Sequence, residues 1–226
     1  MILISGASRG IGKYLFNTFK NQCKDVIGFY NHTKPTKYSN LYYKLDVSDF
    51  NNVETILTPL LENQKKIILI NCAGINYNSF IHKSDPEKWG NVIKTNLIGT
   101  YNMIRVVIPF MRGNEYGRII NFSSVVAIKP TPGISAYAAT KSAFWGLAKS
   151  ISVENATKNV TINNINLGYS ELGMISEVPA QYLDAIKSEI PMKKLCSPKN
   201  IFNTVSYLID NEYITGESIN VNGGLT

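Results

Sequence analysis

Tyr137 and Lys141 stand four residues apart in Ala136-Tyr137-Ala138-Ala139-Thr140-Lys141, a stretch of helical composition. Residues i and i+4 share a helix face, so the lysine ammonium is expected beside the phenol. A free phenol ionises near pH 10; a neighbouring cation favours phenolate and brings proton exchange with a substrate oxygen closer to neutrality. Ser124 precedes the pair across a Pro/Gly-bearing loop, and its hydroxyl can hydrogen-bond the same oxygen. A solitary Tyr-x-x-x-Lys is common on exposed helices, so its weight depends on what surrounds it.

A second motif lies at the start of the chain, where Ile2-Leu3-Ile4 runs into Ser5-Gly6-Ala7-Ser8-Arg9-Gly10-Ile11-Gly12 and then into an amphipathic segment with Ile11, Leu15, Phe16 and Phe19 at helical spacing. A turn poor in side chains lets backbone N–H groups and a helix N-terminus meet a pyrophosphate. The glycine spacing is G-x-x-x-G-x-G rather than G-x-G-x-x-G. In many dinucleotide folds an acid ending the second strand binds the ribose 2′-hydroxyl. Here that neighbourhood reads Phe29-Tyr30-Asn31-His32-Thr33-Lys34, with donors and a cation but no acid, and Arg9 adds another cation. This favours NADP(H) over NAD(H); the alternative is that His32 and Lys34 are solvated loop residues.

These groups need elements to hold them. Short aliphatic runs at Ile2 to Ser5, Val26 to Phe29, Leu41 to Lys44, Ile67 to Asn71, Arg118 to Phe122, Thr161 to Asn166 and Ser218 to Val221 alternate with helical segments at Ile11 to Asn21, Asn52 to Leu61, Trp89 to Met111, Ala136 to Ala156, Pro179 to Ile190 and Pro198 to Ile209. The strand runs are nearly continuous in apolar residues, as parallel strands covered on both faces are. The expectation is an α/β fold: a doubly wound Rossmann-type parallel sheet of about seven strands, helices on both faces, one domain spanning 1–226. Tyr30 to Asn40, broken by Pro35, is too short for a crossover helix and reads as a bare loop.

At 226 residues and 44% hydrophobic, the chain suits one substantial core. No signal peptide, membrane-spanning run or metal-spaced cysteine pattern is evident, so a cytoplasmic protein with reduced Cys23, Cys72 and Cys196 and no metal is expected. The net charge of +7 is spread along the chain, with short doublets at Lys65-Lys66 and Lys193-Lys194. That is compatible with an acidic carrier or a phosphorylated ligand and argues against nucleic acid as partner, and with no bilayer-spanning run no membrane partner is expected.

Taken together, these motifs resemble the short-chain dehydrogenase/reductase family, closest to its 3-oxoacyl-carrier-protein reductase members, over nearly the whole chain. Ser5 to Gly12 is similar to the family's T-G-x-x-x-G-I-G, Asp46-Val47 to its adenine-contacting pair, and Asn71-Cys72-Ala73-Gly74 to its N-N-A-G segment with Cys72 in the place of the second Asn. Asn96 matches the Asn that supports a water relay to the lysine. Ser124, Tyr137 and Lys141 match the catalytic Ser and Y-x-x-x-K, and Tyr213-Ile214-Thr215-Gly216 with Val221-Asn222-Gly223-Gly224 resembles the family's C-terminal end. The resemblance implies catalysis by Tyr137, Lys141, Ser124 and Asn96. It implies cofactor contacts from Gly6, Ser8, Arg9, Gly10, Ile11, Gly12, Asn31, Asp46, Val47, Asn71, Ala73, Gly74, Tyr137, Lys141, Gly168 and Ser170. Two departures stand out: Leu167 replaces the Pro of a Pro-Gly pair, and Leu172 stands where a carboxamide-binding Thr is expected, so Ser170 is the substitute considered. The other is the shortened loop after Tyr30.

The expected reaction is reversible hydride transfer between NADP(H) and a small-molecule carbonyl/alcohol pair, with a carrier-bound 3-oxoacyl thioester left open. A sugar or sugar-nucleotide enzyme and a non-catalytic redox sensor are the alternatives. Along Ala136 to Ala156, Phe144, Ala148 and Ile151 continue the Tyr137/Lys141 stripe. Ala138, Ala139, Ser142, Ala143, Gly146 and Ser150 make a second, small-residue face, which either packs on Trp89 to Met111 or, as the resemblance implies, pairs across a homodimer or homotetramer. Trp89 and Trp145 read as packing residues and His82 as a loop residue. Met174, Ile175 and Tyr182 fall where the family places its substrate lid.

Overall fold

The computed structural model describes residues 1–173, 175 and 178–226. Strands β1 (Ile2–Ser5), β2 (Val26–Tyr30), β3 (Tyr42–Lys44), β4 (Ile67–Asn71), β5 (Gly117–Ser124), β6 (Val160–Leu167) and β7 (Ser218–Val221) form one sheet in the order β3-β2-β1-β4-β5-β6-β7. Every pairing is parallel. The chain winds outward from β1 in one direction and then from β4 in the other, which opens a crevice at the carboxyl ends of those two strands.

Helices α1 (Gly10–Asn21), α2 (Phe50–Leu61), α3 (Pro86–Ile93), α4 (Gly99–Gly113), α5 (Ser135–Asn155), α6 (Ala180–Glu189) and α7 (Pro198–Asp210) complete the fold. Strand alternation divides the core in two. Leu3, Phe29, Leu69, Ile119 and Ile162 pack with Val53, Leu57, Met103, Val107 and Ala148 of α2, α4 and α5. Ile2, Ile4, Ile70, Ile120 and Ile165 pack on the other face with Leu15, Phe16, Phe19, Ile201 and Val205 of α1 and α7. Covering both faces is what the near-continuous apolar runs require.

All seven expected strands are present, with β5 and β6 longer than the apolar runs alone indicate. Ser124 is therefore the last residue of β5. The helix expected from Trp89 to Met111 is interrupted. Asp85 caps α3 by accepting from Glu87 N at 2.9 Å, and Pro86 occupies the first turn, so this helix starts earlier. At Lys94–Ile98 the backbone widens into a π-helical turn before α4 begins. After Tyr30 there is no crossover helix, only the 3-10 turn Ser39–Leu41, entered through Tyr38 in the left-handed conformation.

One polar row crosses the apolar sheet. Ser5, Asn71, Asn121, Asn164 and Ser218 lie in register on five adjacent strands. Asn71 Nδ2 donates to Asn121 Oδ1 at 2.9 Å, Asn121 Nδ2 to Asn164 Oδ1 at 3.1 Å, and Asn164 Nδ2 to Ser218 Oγ at 2.9 Å and to the Phe144 carbonyl of α5 at 3.0 Å. The three asparagines are buried, and each amide is partnered, as buried polar groups must be.

The small-residue face of α5 is not covered by its own chain along its length: Ala139, Ser142, Gly146 and Ser150 are exposed, and nothing lies within 4 Å of a Cβ placed on Gly146. Trp89 Nε1 donates to Ser135 Oγ at 3.1 Å and Trp145 Nε1 to Asn166 Oδ1 at 3.3 Å. Among the described residues, no helix is long and apolar enough to cross a membrane.

Candidate active site

A cleft of about 890 Å³ opens at the carboxyl end of the sheet. Its floor at one side is the turn between β1 and α1. Gly6 has φ of +65°, and a Cβ there would lie 2.8 Å from the Ala73 backbone; at Gly12 a Cβ would collide with the Gly6 carbonyl. Only glycine permits this close stacking of the turn on the segment after β4. Ser5 fastens the two from below, its Oγ accepting from Cys72 N and Ala73 N at 3.2 Å each.

Of the residues expected to bind cofactor, Gly6, Ser8, Arg9, Gly10, Ile11, Gly12, Asn31, Asp46, Val47, Ala73, Gly74, Tyr137, Lys141, Gly168 and Ser170 line this cleft. Asn71 does not; it stands behind the wall in the asparagine row. His32 and Thr33 also line the cleft, whereas Lys34 does not. Asp46 accepts from Ser48 N and Oγ at 2.9 and 2.7 Å and from the Asn31 side chain. Burial pushes its carboxyl up, but those hydrogen bonds and the charge of Lys94 outweigh it and hold it below the ordinary carboxylate value.

At the other side of the cleft Ser124, ending β5, meets Tyr137 and Lys141 of α5. The Tyr137 and Ser124 side chains are hydrogen-bonded. Lys141, 5% exposed, donates from Nζ to the Phe122 carbonyl at 2.6 Å and stands 5.3 Å from the centre of the Tyr137 ring. Ser123 Oγ donates to the Lys141 carbonyl at 3.0 Å, which ties α5 to β5 at this level. The electrostatics differ from the expectation of a phenol drawn toward neutrality. Burial pushes Tyr137 up to about 12, with the Ser124 hydrogen bond opposing. Burial lowers Lys141 to about 8, with the Cys72 thiol countering. At neutral pH the site thus holds a neutral phenol beside an ammonium.

Asn96 lies in the π-helical turn, fully buried and behind the cleft wall. It accepts from Ile75 N at 2.8 Å, donates to Ile75 O at 2.9 Å, and reaches Thr140 Oγ1, between Tyr137 and Lys141, at 3.4 Å. A widened turn of this kind is often found at functional sites.

At the position expected for the carboxamide seat, Leu167 is buried as the last residue of β6, and Ser170 Oγ donates to the Leu172 carbonyl at 2.7 Å. Residues 169–171 are held by Cys196, which donates to Tyr169 O and accepts from Glu171 N. Leu172 and Ile175 line the cleft; Tyr182 of α6 is half exposed, and Met174 lies outside the described residues. The mouth also includes Ile75, Asn76, Asn78, Val125, Val126, Thr131 and Ile134, which the motifs did not single out. Their only sequence signal is position, in the loops that follow β4 and β5. His82 is exposed and does not line the cleft. Among the described residues no cluster of His, Cys, Asp or Glu could hold a metal ion.

Comparison with known proteins bears on the fold and the family. Residues 6–226 match the family model described as enoyl-(acyl carrier protein) reductase. The chain is 34% identical to the acetoacetyl-CoA reductase of Shinella zoogloeoides, over 98% of this chain and 96% of that one. It is 30% identical to the 3-oxoacyl-[acyl-carrier-protein] reductase FabG of Escherichia coli, over 99% and 96%. Among solved structures, ElxO with NADP bound superposes with a TM-score of 0.91 at 26% identity, covering 99% of this chain and 97% of that one. The aldohexose dehydrogenase of Thermoplasma acidophilum gives 0.90 at 27% identity, over 99% and 92%. The family model and these relatives span nearly the whole chain, and the chain belongs to the short-chain dehydrogenase/reductase family of oxidoreductases.

Proposed function

We propose that this chain is an NADPH-dependent ketoreductase acting as one cytoplasmic nucleotide-binding domain, and that a 3-oxoacyl thioester is its foremost substrate class. The observation that carries the reading is the meeting, in one cleft, of the side-chain-poor turn Gly6 to Gly12 with Ser124, Tyr137 and Lys141. The donors around the turn fit a dinucleotide: a helix N-terminus for the pyrophosphate, and Arg9, His32 and Thr33 for a ribose 2′-phosphate. The two reductases above, named for acetoacetyl-CoA and 3-oxoacyl-carrier substrates, support the substrate class.

When bound, the nicotinamide supplies a hydride to the carbonyl carbon. The protein's part is the proton. Tyr137, neutral at physiological pH, donates its phenolic proton to the developing alkoxide, and the Ser124 hydroxyl orients the same oxygen and then hydrogen-bonds the phenolate left behind. Lys141, still an ammonium near neutrality, offsets that negative charge and holds the cofactor ribose. Asn96 fixes the π-helical turn against Ile75 and supports return of a proton toward Lys141. A phenol held protonated suits reduction better than oxidation, which begins from phenolate.

The exposed small-residue face of α5 supports self-association into a dimer or tetramer; sedimentation velocity of the wild type and Gly146→Arg tests it, and a wild-type monomer overturns it. A sugar substrate is the second reading, favoured by the polar Asn76, Asn78 and Thr131 at the mouth and by the likeness to aldohexose dehydrogenase. NADPH and NADH oxidation against acetoacetyl-CoA, ketosugars and simple ketones, with aldohexose oxidation beside them, separates the two. Tyr137→Phe is expected to lower turnover about 10²- to 10⁴-fold while NADPH still binds. Undiminished turnover in that variant overturns the mechanism, and cofactor binding without turnover on any compound moves the reading to a redox sensor.

A further inference from the structure

The Lys141 ammonium is a buried charge for which the described residues provide no carboxylate. Its Nζ hydrogen-bonds the Phe122 carbonyl at 2.6 Å, and the two ion pairs found among the described residues, Lys158 with Glu115 and Lys187 with Asp184, lie elsewhere. The titratable groups acting on it are the Tyr137 phenol on its own helix and the Cys72 thiol at the end of β4. Burial raises both of those groups, so neither is an anion at neutral pH. An isolated buried ammonium tends to shed its proton.

Two aromatic rings flank it instead. The Tyr137 centroid is 5.3 Å from Nζ, one turn earlier on α5, and the Phe144 centroid is nearer, 4.9 Å, one turn later. Phe144 is 1% exposed, so the packing around its ring leaves it little freedom to turn away. A leucine would fill much of the same volume and bury well, but only an aromatic face attracts a cation through its quadrupole, most strongly where water is excluded.

We propose that Phe144 is a positioning residue for the reaction, its ring face holding the Lys141 ammonium in place one turn from the Tyr137 phenol. The inference rests on the reading of Tyr137 and Lys141 as the proton-handling pair. It goes beyond that reading by making the charge of the pair depend on a residue that touches neither substrate nor cofactor.

The test uses the full chain labelled with ¹³C-lysine, with the Lys141 Cε signal assigned through Lys141→Met and titrated between pH 6 and 11. In Phe144→Leu the Lys141 midpoint is expected to fall by about one pH unit, the size of a desolvated cation–π contact, whereas Phe144→Tyr stays with the wild type. The alkaline limb of NADPH binding, followed by its fluorescence, moves in the same direction in Phe144→Leu. An unmoved midpoint in folded Phe144→Leu, or an equal fall in Phe144→Tyr, reduces Phe144 to packing and overturns the proposal. If Phe144→Leu does not fold, the wild type decides: ring currents must shift the Lys141 Hε protons upfield of the other lysines, and their absence overturns it. A moved midpoint in a protein that reduces no carbonyl compound upholds the role of Phe144 and counts against the ketoreductase reading alone.

Discussion

Asn96 and Ile75 are joined by a reciprocal pair of hydrogen bonds, Ile75 N to Asn96 Oδ1 at 2.8 Å and Asn96 Nδ2 to Ile75 O at 2.9 Å. The amide thereby satisfies both backbone groups of one residue at the cleft wall and pins the π-helical turn to the loop after β4. Asn96→Leu removes both hydrogen bonds to Ile75, at about 0.5 to 1.5 kcal/mol each, because Ile75 is partly exposed and water can reach its backbone groups. The expected result is a fall of about 1 to 3 kcal/mol in urea unfolding, with kcat reduced more than the KM for NADPH is raised. Asn96→Asp, which keeps the acceptor for Ile75 N, falls between.

The pH dependence follows from Lys141 and Tyr137. NADPH binding and kcat/KM for NADPH are expected to be level up to about pH 8 and to decline above it as Lys141 loses its proton. Stability runs the other way in that window. The unfolded lysine keeps its proton to about 10.5, so between about 8 and 10.5 the unfolded state binds more protons and stability rises with pH. From about 10 to about 12 the folded Tyr137 retains the proton that the unfolded phenol gives up, and its contribution is lost as pH rises. Urea midpoints of wild type and Lys141→Met check the sign: the methionine variant is relatively more stable at pH 7, and its advantage narrows by pH 9.5.

Much of this site was legible in the sequence because its parts are local. Tyr137 and Lys141 need only helical spacing, and the turn Ser5 to Gly12 announces itself by what it lacks. The strands were readable because a parallel sheet demands unbroken apolar runs. What stayed hidden depends on distant partners. The break in the helix after Trp89 arises where Asn96 bonds Ile75 across the cleft wall. The polar row was invisible for the same reason, since an isolated Asn in an apolar strand reads as a flaw until its neighbours on four other strands are in view. The direction of the Tyr137 shift needed burial, which spacing does not report.

Cofactor preference is expected to rest on Arg9 rather than on Lys34. Both were candidates for a 2′-phosphate, but only Arg9 lines the cleft. Arg9→Ala should raise the KM for NADPH at least about tenfold and change that for NADH little, as loss of one charge-assisted contact to a phosphate would do. Lys34→Ala should leave both constants as they are. Equal effects of Arg9→Ala on the two cofactors would refute the assignment.

Asn164 is the most connected member of the polar row. Replacing it with Ala removes the acceptor of Asn121 Nδ2, leaving that buried amide unpaired, and removes a second bond to the Phe144 carbonyl, which keeps its own helical partner. The loss is expected to be about 2 to 4 kcal/mol in chemical unfolding, against less than half of that for Ser218→Ala at the sheet edge. Comparable costs at the two positions would show that the row is not held from its middle.

The same row bears on how the chain avoids assembling wrongly. Parallel strands rich in Ile, Val and Leu are poor at telling one another apart, since each could lie beside several others at several offsets with similar apolar contact. A slip of two residues between β4 and β5 would set Asn121 against Leu69 and strand an amide in the core. A slip of one would turn it to the opposite face. Five side chains that meet in one row therefore favour a single alignment, and every residue at the carboxyl end of the sheet inherits its height from that choice.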